Sequence, residues 1–191
     1  MIDAAERIAA EEGLGAMSLR AVQAAAGQRN KSAAQYHFGS RAGLIERIVV
    51  HRMGPINERR FELLEALPAS PALAQLVDVL VRPPAEAVLG RQQPSHWARF
   101  VLAGMADPTV AQVVRRNLEG HAFRIIGKRL METLDDLDET VRARRLDQAV
   151  GLMFLTLAHC ERHEPVERPE PLIVDLVGVC TALLRTPQPE Q

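Results

Sequence analysis

Apolar residues recur along this chain at intervals of three and four. Ile2, Ala5, Ile8 and Ala9 share one helical face near the start, and Leu44, Ile45, Ile48 and Val49 share another further on. No stretch sustains the alternation of a half-buried strand, and the prolines stand between segments rich in Ala, Leu, Val, Arg and Glu, so they read as helix punctuation. The pattern predicts an all-α protein of about nine helices.

Its first part divides finely. Helices are expected over 2–12, 18–26 and 31–37, with a fourth starting at 41. They are separated by Gly13-Leu14-Gly15, Gly27 and Gly39, and Ser18 and Ser40 stand where N-cap residues belong. Beyond Gly54-Pro55 the periodic segments lengthen, which places a head domain over 1–52 and a larger helical domain over 53–191.

Near the C-terminal end, residues 149–158 (AVGLMFLTLA) are apolar on nearly every face, and a helix buried all round needs neighbours on two sides. The last helix carries Leu172, Leu176, Val179 and Leu183 on one stripe, with Ile173, Val177, Cys180 and Leu184 beside it. Two such helices suit a four-helix bundle shared by two copies of the chain, with Val150, Phe154, Leu157, Leu176, Val179 and Leu183 at the interface; burial within one subunit is the alternative.

With 47% apolar residues in 191, the chain can build a sizeable core. Cys160 and Cys180 form neither a disulfide framework nor a four-cysteine zinc site. No apolar run reaches the roughly 20 residues of a membrane span, and the first residues read as amphipathic helix, not signal peptide, so a cytoplasmic protein is expected. A net charge of −1 gives no global attraction to a polyanion. The charge is uneven, however: from Arg20 to Arg60 eight Arg and Lys residues face only Glu46 and Glu58.

That basic region contains a helix, a glycine turn and a second short helix, the helix-turn-helix pattern whose second helix enters the DNA major groove. Arg29, Asn30, Lys31, Ser32 and Gln35 are donor and acceptor types that reach base edges, and Ala33 is small enough to allow close approach. Ser18, Tyr36, His37 and Arg41 suit the phosphate backbone. Val22, Ala25, Ala26 and Phe38 are expected to pack the motif, and Arg47, Arg52, Arg59 and Arg60 read as a solvated helix face.

The segment SLRAVQAAAGQRNKSAAQYHFGSRAGLI, residues 18–45, resembles the signature of the TetR (tetracycline-repressor-like) transcriptional regulators. A Ser opens the second helix, Ala and Gly close it, Tyr and His-Phe close the third, and a Ser opens the fourth, with Arg41 where Lys is usual. The resemblance implies a homodimer that binds a palindromic operator through its heads and a small-molecule effector through its C-terminal domain.

In that domain Trp97, Phe100, Met105, Phe123 and Met153 are the bulky apolar groups from which a pocket could be lined, with His96, Arg99 or His121 to orient a guest. His159 and His163 have the spacing of a two-histidine metal site, though a third ligand is missing from the sequence pattern. No nucleophile elbow or phosphate-cradling loop appears, so no cofactor and no catalytic residue is expected. The competing readings are a helical protein-binding adaptor and a metal-dependent enzyme centred on His159 and His163.

Overall fold

The computed structural model describes residues 1–28, 30, 33–91, 95–163 and 166–188. The described residues form ten α-helices and one 3-10 turn and contain no strand, so the fold is all-α. Helix α1 (Ile2–Glu11) buries Ala5, Ile8 and Ala9 together with the carboxylate of Glu6. Gly13 then breaks the chain with a positive φ, and a 3-10 turn at Leu14–Ala16 follows.

The next two helices are set by their caps. Ser18 Oγ accepts from the Ala21 amide at 3.1 Å and starts α2 (Leu19–Ala25). Gly27, at φ 65°, turns the chain after α2, and Gly39, also at φ 65°, ends α3 (Ala33–Phe38). Ser40 Oγ takes the Gly43 amide at 3.0 Å and opens α4 (Arg41–Glu65). A side chain at Gly43 would run into the Phe38 carbonyl, so α3 and α4 meet this tightly only because residue 43 is glycine.

The larger domain contains α5 (Leu73–Leu89), α6 (Trp97–Ala106), α7 (Ala111–Leu118), α8 (His121–Thr133), α9 (Glu139–Cys160) and α10 (Pro169–Arg185). Three prolines do not punctuate as their sequence context suggests: Pro55 lies inside α4, and Pro83 and Pro84 inside α5. Proline removes an amide and leaves the carbonyl four residues earlier without its helical donor. Those helices persist because their flanks are held by packing: Met53 and Ile56 are buried around Pro55, and Leu80, Val81 and Ala85 around the pair in α5. Pro169 occupies the first turn of α10, where a missing amide costs nothing.

Helix α4 has 25 residues and so runs about 37 Å. Its start packs on α3, and further along it packs on α5, α7 and α8; residues 52 and 53 are consecutive members of it. Head and body therefore share one helix and one continuous core. At the head's edge Arg52 Nε and Nη2 donate to both oxygens of the buried Glu6, at 2.6 and 2.8 Å, and ion pairs cross from head to body beside it. Arg91 meets Asp3 at 3.6 Å and Arg116 meets Glu46 at 3.3 Å.

The two apolar C-terminal helices find much of their burial inside the subunit. Helix α9 packs on α6 and α10, and α10 packs on α5. Phe154, Leu157 and Leu176, expected at an interface between copies, are buried in this core. Val150 and Leu183 are half-buried, and of the expected set only Val179 is exposed. The apolar residues left in water are Leu155 on α9, 60% exposed, with Val174 and Val179 on α10. The C-terminal half of α9 and most of α10 are apolar nearly all round, so periodicity alone could not say which stripe turns outward.

Candidate nucleic-acid interface

Helix α2 packs against α3, and the turn between them is tied back: Gln23 Nε2, nearly buried, donates to the Asn30 carbonyl. Val22 is fully buried and Phe38 packs on the same core from α3. Ala25 is exposed and Ala26 half-buried, so the second helix is anchored through Val22 and Gln23 and not through Ala25.

On the outer side Gln35, Tyr36 and His37 all stand in solvent. Tyr36 is 85% exposed, its ring held edge-on to His37 at 5.3 Å between centroids. Gln35 Nε2 donates to the Gly39 carbonyl at 2.6 Å, closing the end of its own helix while its side chain remains at the surface. Ser18 is exposed and capping α2, and Asn30 is exposed. Ala33 begins α3; Arg29, Lys31 and Ser32 lie outside the described residues. A surface cleft of about 500 Å³ runs along the motif, lined by Leu19, Arg20, Gln23, Ala24, Gln28 and Gln35.

The basic stretch divides sharply by burial. Arg41 folds inward, with Nη2 on the Leu14 carbonyl at 2.6 Å and 3.5 Å from Asp107 Oδ2, so it ties head to body where the sequence suggested a phosphate contact. Arg52 is bound to Glu6, Arg59 bridges Glu62 and Glu86 at 2.8 and 3.1 Å, and Arg60 is buried. Arg52 and Arg60 thus leave the solvated face that the sequence suggested, whereas Arg59 stays at the surface within its ion pairs. Arg20 and Arg47 are exposed and, among the described residues, enter no ion pair. Arg20 was not among the expected contact residues, although its spacing of three and four from Gln23 and Ala24 sets it on the face that borders the cleft.

In the body, Trp97 and Phe100 stack at 5.8 Å with rings 19° apart, both fully buried. Trp97 Nε1 has no hydrogen-bond partner among the described residues. Met153 is buried, and Met105 and Phe123 pack partly buried against the same core. Glu161, just past the end of α9, reaches to the start of α6: its two oxygens accept from the Ala98 and Arg99 amides, each at 2.9 Å. A carboxylate there satisfies orphan amides and sits at the positive end of the helix dipole. His96 lies 3.5 Å from Glu11 of α1, and the His121 ring lies 5.9 Å from that of Phe61, tilted by 40°. His159 and His163 do come together, their rings 4.5 Å apart, but among the described residues no third ligand joins them.

No family model and no curated protein matches this sequence. Among solved structures, the crystal structure of a TetR family transcriptional regulator, PfmR from Thermus thermophilus, is similar to it at a TM-score of 0.60. The chain has a TetR-like fold. The likeness covers 98% of both chains at 19% identity, so it extends well beyond the helix-turn-helix segment that carries the sequence resemblance. Among the described residues no helix is long and apolar enough to cross a membrane.

Proposed function

We propose that this chain is a dimeric, ligand-responsive transcriptional regulator that reads double-stranded DNA through α2 and α3. The observation that carries the reading is Tyr36: an aromatic side chain 85% in water, flanked by exposed Gln35 and His37, on the second helix of a helix-turn-helix. Such a surface makes no contribution to the subunit's own core, and its groups match what phosphates and base edges accept. The similarity in fold to a TetR family regulator supports it. In this reading Arg29, Asn30, Lys31, Ser32, Ala33 and Gln35 face bases. Ser18, Tyr36 and His37, joined by Arg20 and Arg47, face phosphates.

Leu155, Val174 and Val179 form the homodimer face in this reading, and a two-fold pair of heads then suits a palindromic operator. An effector held in the body, near Trp97, Phe100, Met105, Phe123 and Met153, shifts the heads to a spacing that no longer fits, so the protein acts as a repressor released by its ligand. The test is fluorescence anisotropy against the intergenic duplex beside the protein's own gene, with a scrambled duplex as control, at two salt concentrations. Sequence-preferring binding that weakens steeply with salt and is lost in Tyr36→Ala and Lys31→Ala is the expected result. Equal affinity of the wild type and both variants for both duplexes would remove the assignment.

A further inference from the structure

Arg60 is 3% exposed and, among the described residues, has no carboxylate partner. Its Nη1 meets Asn57 Oδ1 at 3.2 Å, its Nη2 the Leu80 carbonyl at 3.4 Å, and its Nε has no partner among the described residues. Burial pulls the guanidinium down to about 10, which leaves it charged at neutral pH. The Leu80 carbonyl is one that Pro84 deprives of a helical donor, so it explains one hydrogen bond. It does not explain a full positive charge, since a neutral amide would serve one carbonyl without the desolvation cost.

The surroundings add positive potential. Arg60 lies over the Phe123 ring, 5.8 Å from its centroid, and Phe123 is in the first turn of α8. That helix starts at Gly120 with no side-chain cap and no acidic residue in its first turn. Asn57 abuts the start itself, for a Cβ on Gly120 would come 2.9 Å from Asn57 Nδ2. A buried cation beside an uncapped helix N-terminus places two like electrostatic features together, whereas folded chains put an anion there. Around them the buried side chains of α5 and α8 include Leu76, Leu80, Ala122 and Ile126.

We propose that the junction of α4 with the start of α8 is an oxyanion-binding site. Arg60, Asn57 and the first-turn amides of α8 take the carboxylate or phosphate head of a small amphiphilic ligand, whose apolar part lies along Phe123 and the buried faces of α5 and α8. This gives a chemical class to the effector of the proposed regulator and rests on that reading.

The test uses the full chain, without DNA, in thermal unfolding at constant ionic strength. The probes are decanoate, decyl phosphate and decanol, each below its micelle concentration. Saturating binding raises the Tm by about 4 °C or more. The expectation is that at least one anionic probe does so and decanol does not; which anion responds assigns carboxylate or phosphate. Arg60→Met loses the response, at least tenfold in affinity, while its own Tm equals or exceeds the wild type's because an unpaired buried charge is gone. Asn57→Ala keeps Arg60 and weakens the response several-fold. Equal stabilisation by decanol, no stabilisation by either anion, or an Arg60→Met that is less stable yet still responds would each overturn the site and leave Arg60 as the donor to Leu80. Operator affinity measured alongside separates the two readings: an anion that binds through Arg60 without changing DNA affinity sinks the effector reading and spares the site, and a DNA response to decanol alone does the reverse.

Discussion

Arg47 and Arg60 stand on the same helix and have opposite surroundings. Arg47, toward the head, is exposed and enters no ion pair among the described residues, whereas Arg60, in the body, is buried against α5 and α8. The same contrast separates the two regions at large. In the head, short capped helices hold Gln35, Tyr36 and His37 out in water. In the body, polar groups such as Arg145 and the Glu161 carboxylate are drawn inward and do structural duties, Arg145 on the carbonyls of Leu184 and Pro187 and Glu161 on the first amides of α6. A polar side chain is open to any partner in the first setting; in the second it is held by its own chain unless, as with Arg60, the packing leaves its charge uncompensated, and only neighbours in space decide which.

The sharpest way to break that comparison is inside the head itself, where one polar pair is buried as if it belonged to the body. Glu6→Ala takes away the bidentate partner of Arg52 and leaves it only the exposed Asp3, so it should destabilise by about 2 kcal/mol, measured by urea unfolding. A loss below ~1 kcal/mol would mean that Asp3 alone compensates Arg52 and that the buried Glu6 carboxylate adds little.

Next in size are the exposed apolar residues of α9 and α10. On the proposed dimer, Leu155→Asp with Val174→Asp should give a monomer in light scattering while circular dichroism stays helical, because neither side chain belongs to the subunit core. A variant that stays dimeric would move the interface elsewhere.

Smaller effects test the caps. Glu161→Ala should cost about 1–2 kcal/mol by exposing the first amides of α6. Ser18→Ala should cost about 1 kcal/mol. If Ser18 also serves a phosphate, its loss weakens DNA binding beyond what stability predicts, whereas Glu161→Ala leaves DNA affinity in step with stability.

The smallest concerns pH. Partial burial alone would raise the Asp3 carboxyl, but the hydrogen bond and charge of Arg52, with Arg91, outweigh it and hold the group below its ordinary value. A carboxyl depressed in the folded state adds stability above its unfolded pKa and loses it as pH falls through the lower folded value. The stability gap between the wild type and Asp3→Asn should therefore close toward the acid end of an unfolding series. A gap that stays constant with pH would show that the Asp3 charge is not what the pair uses.

The head was the more legible region because its signals are local. Ser18 and Ser40 cap the helices they precede, and Gly27 and Gly39 turn the chain where the sequence places them. Those effects act within one turn of backbone, so residue type and position suffice. The prolines of α4 and α5 misled for a complementary reason: their helix-breaking tendency is local too, but packing on both sides of Pro55 and of Pro83-Pro84 outweighs it. Arg41, Arg52 and Arg60 were unreadable because their partners Leu14, Glu6 and Leu80 are distant in sequence.

By itself the sequence determined an all-helical chain, the helix-turn-helix with its caps, and a resemblance whose fold the structure bears out. Each of these follows from periodicity and short-range hydrogen bonding, which operate between residues three or four apart. The tertiary structure alone decided which stripe of α9 and α10 faces out, that Arg41 joins head to body, and that Arg60 is sealed beside an uncapped helix start. Burial and charge compensation depend on what long-range packing brings within a few ångströms, and no interval along the chain encodes that.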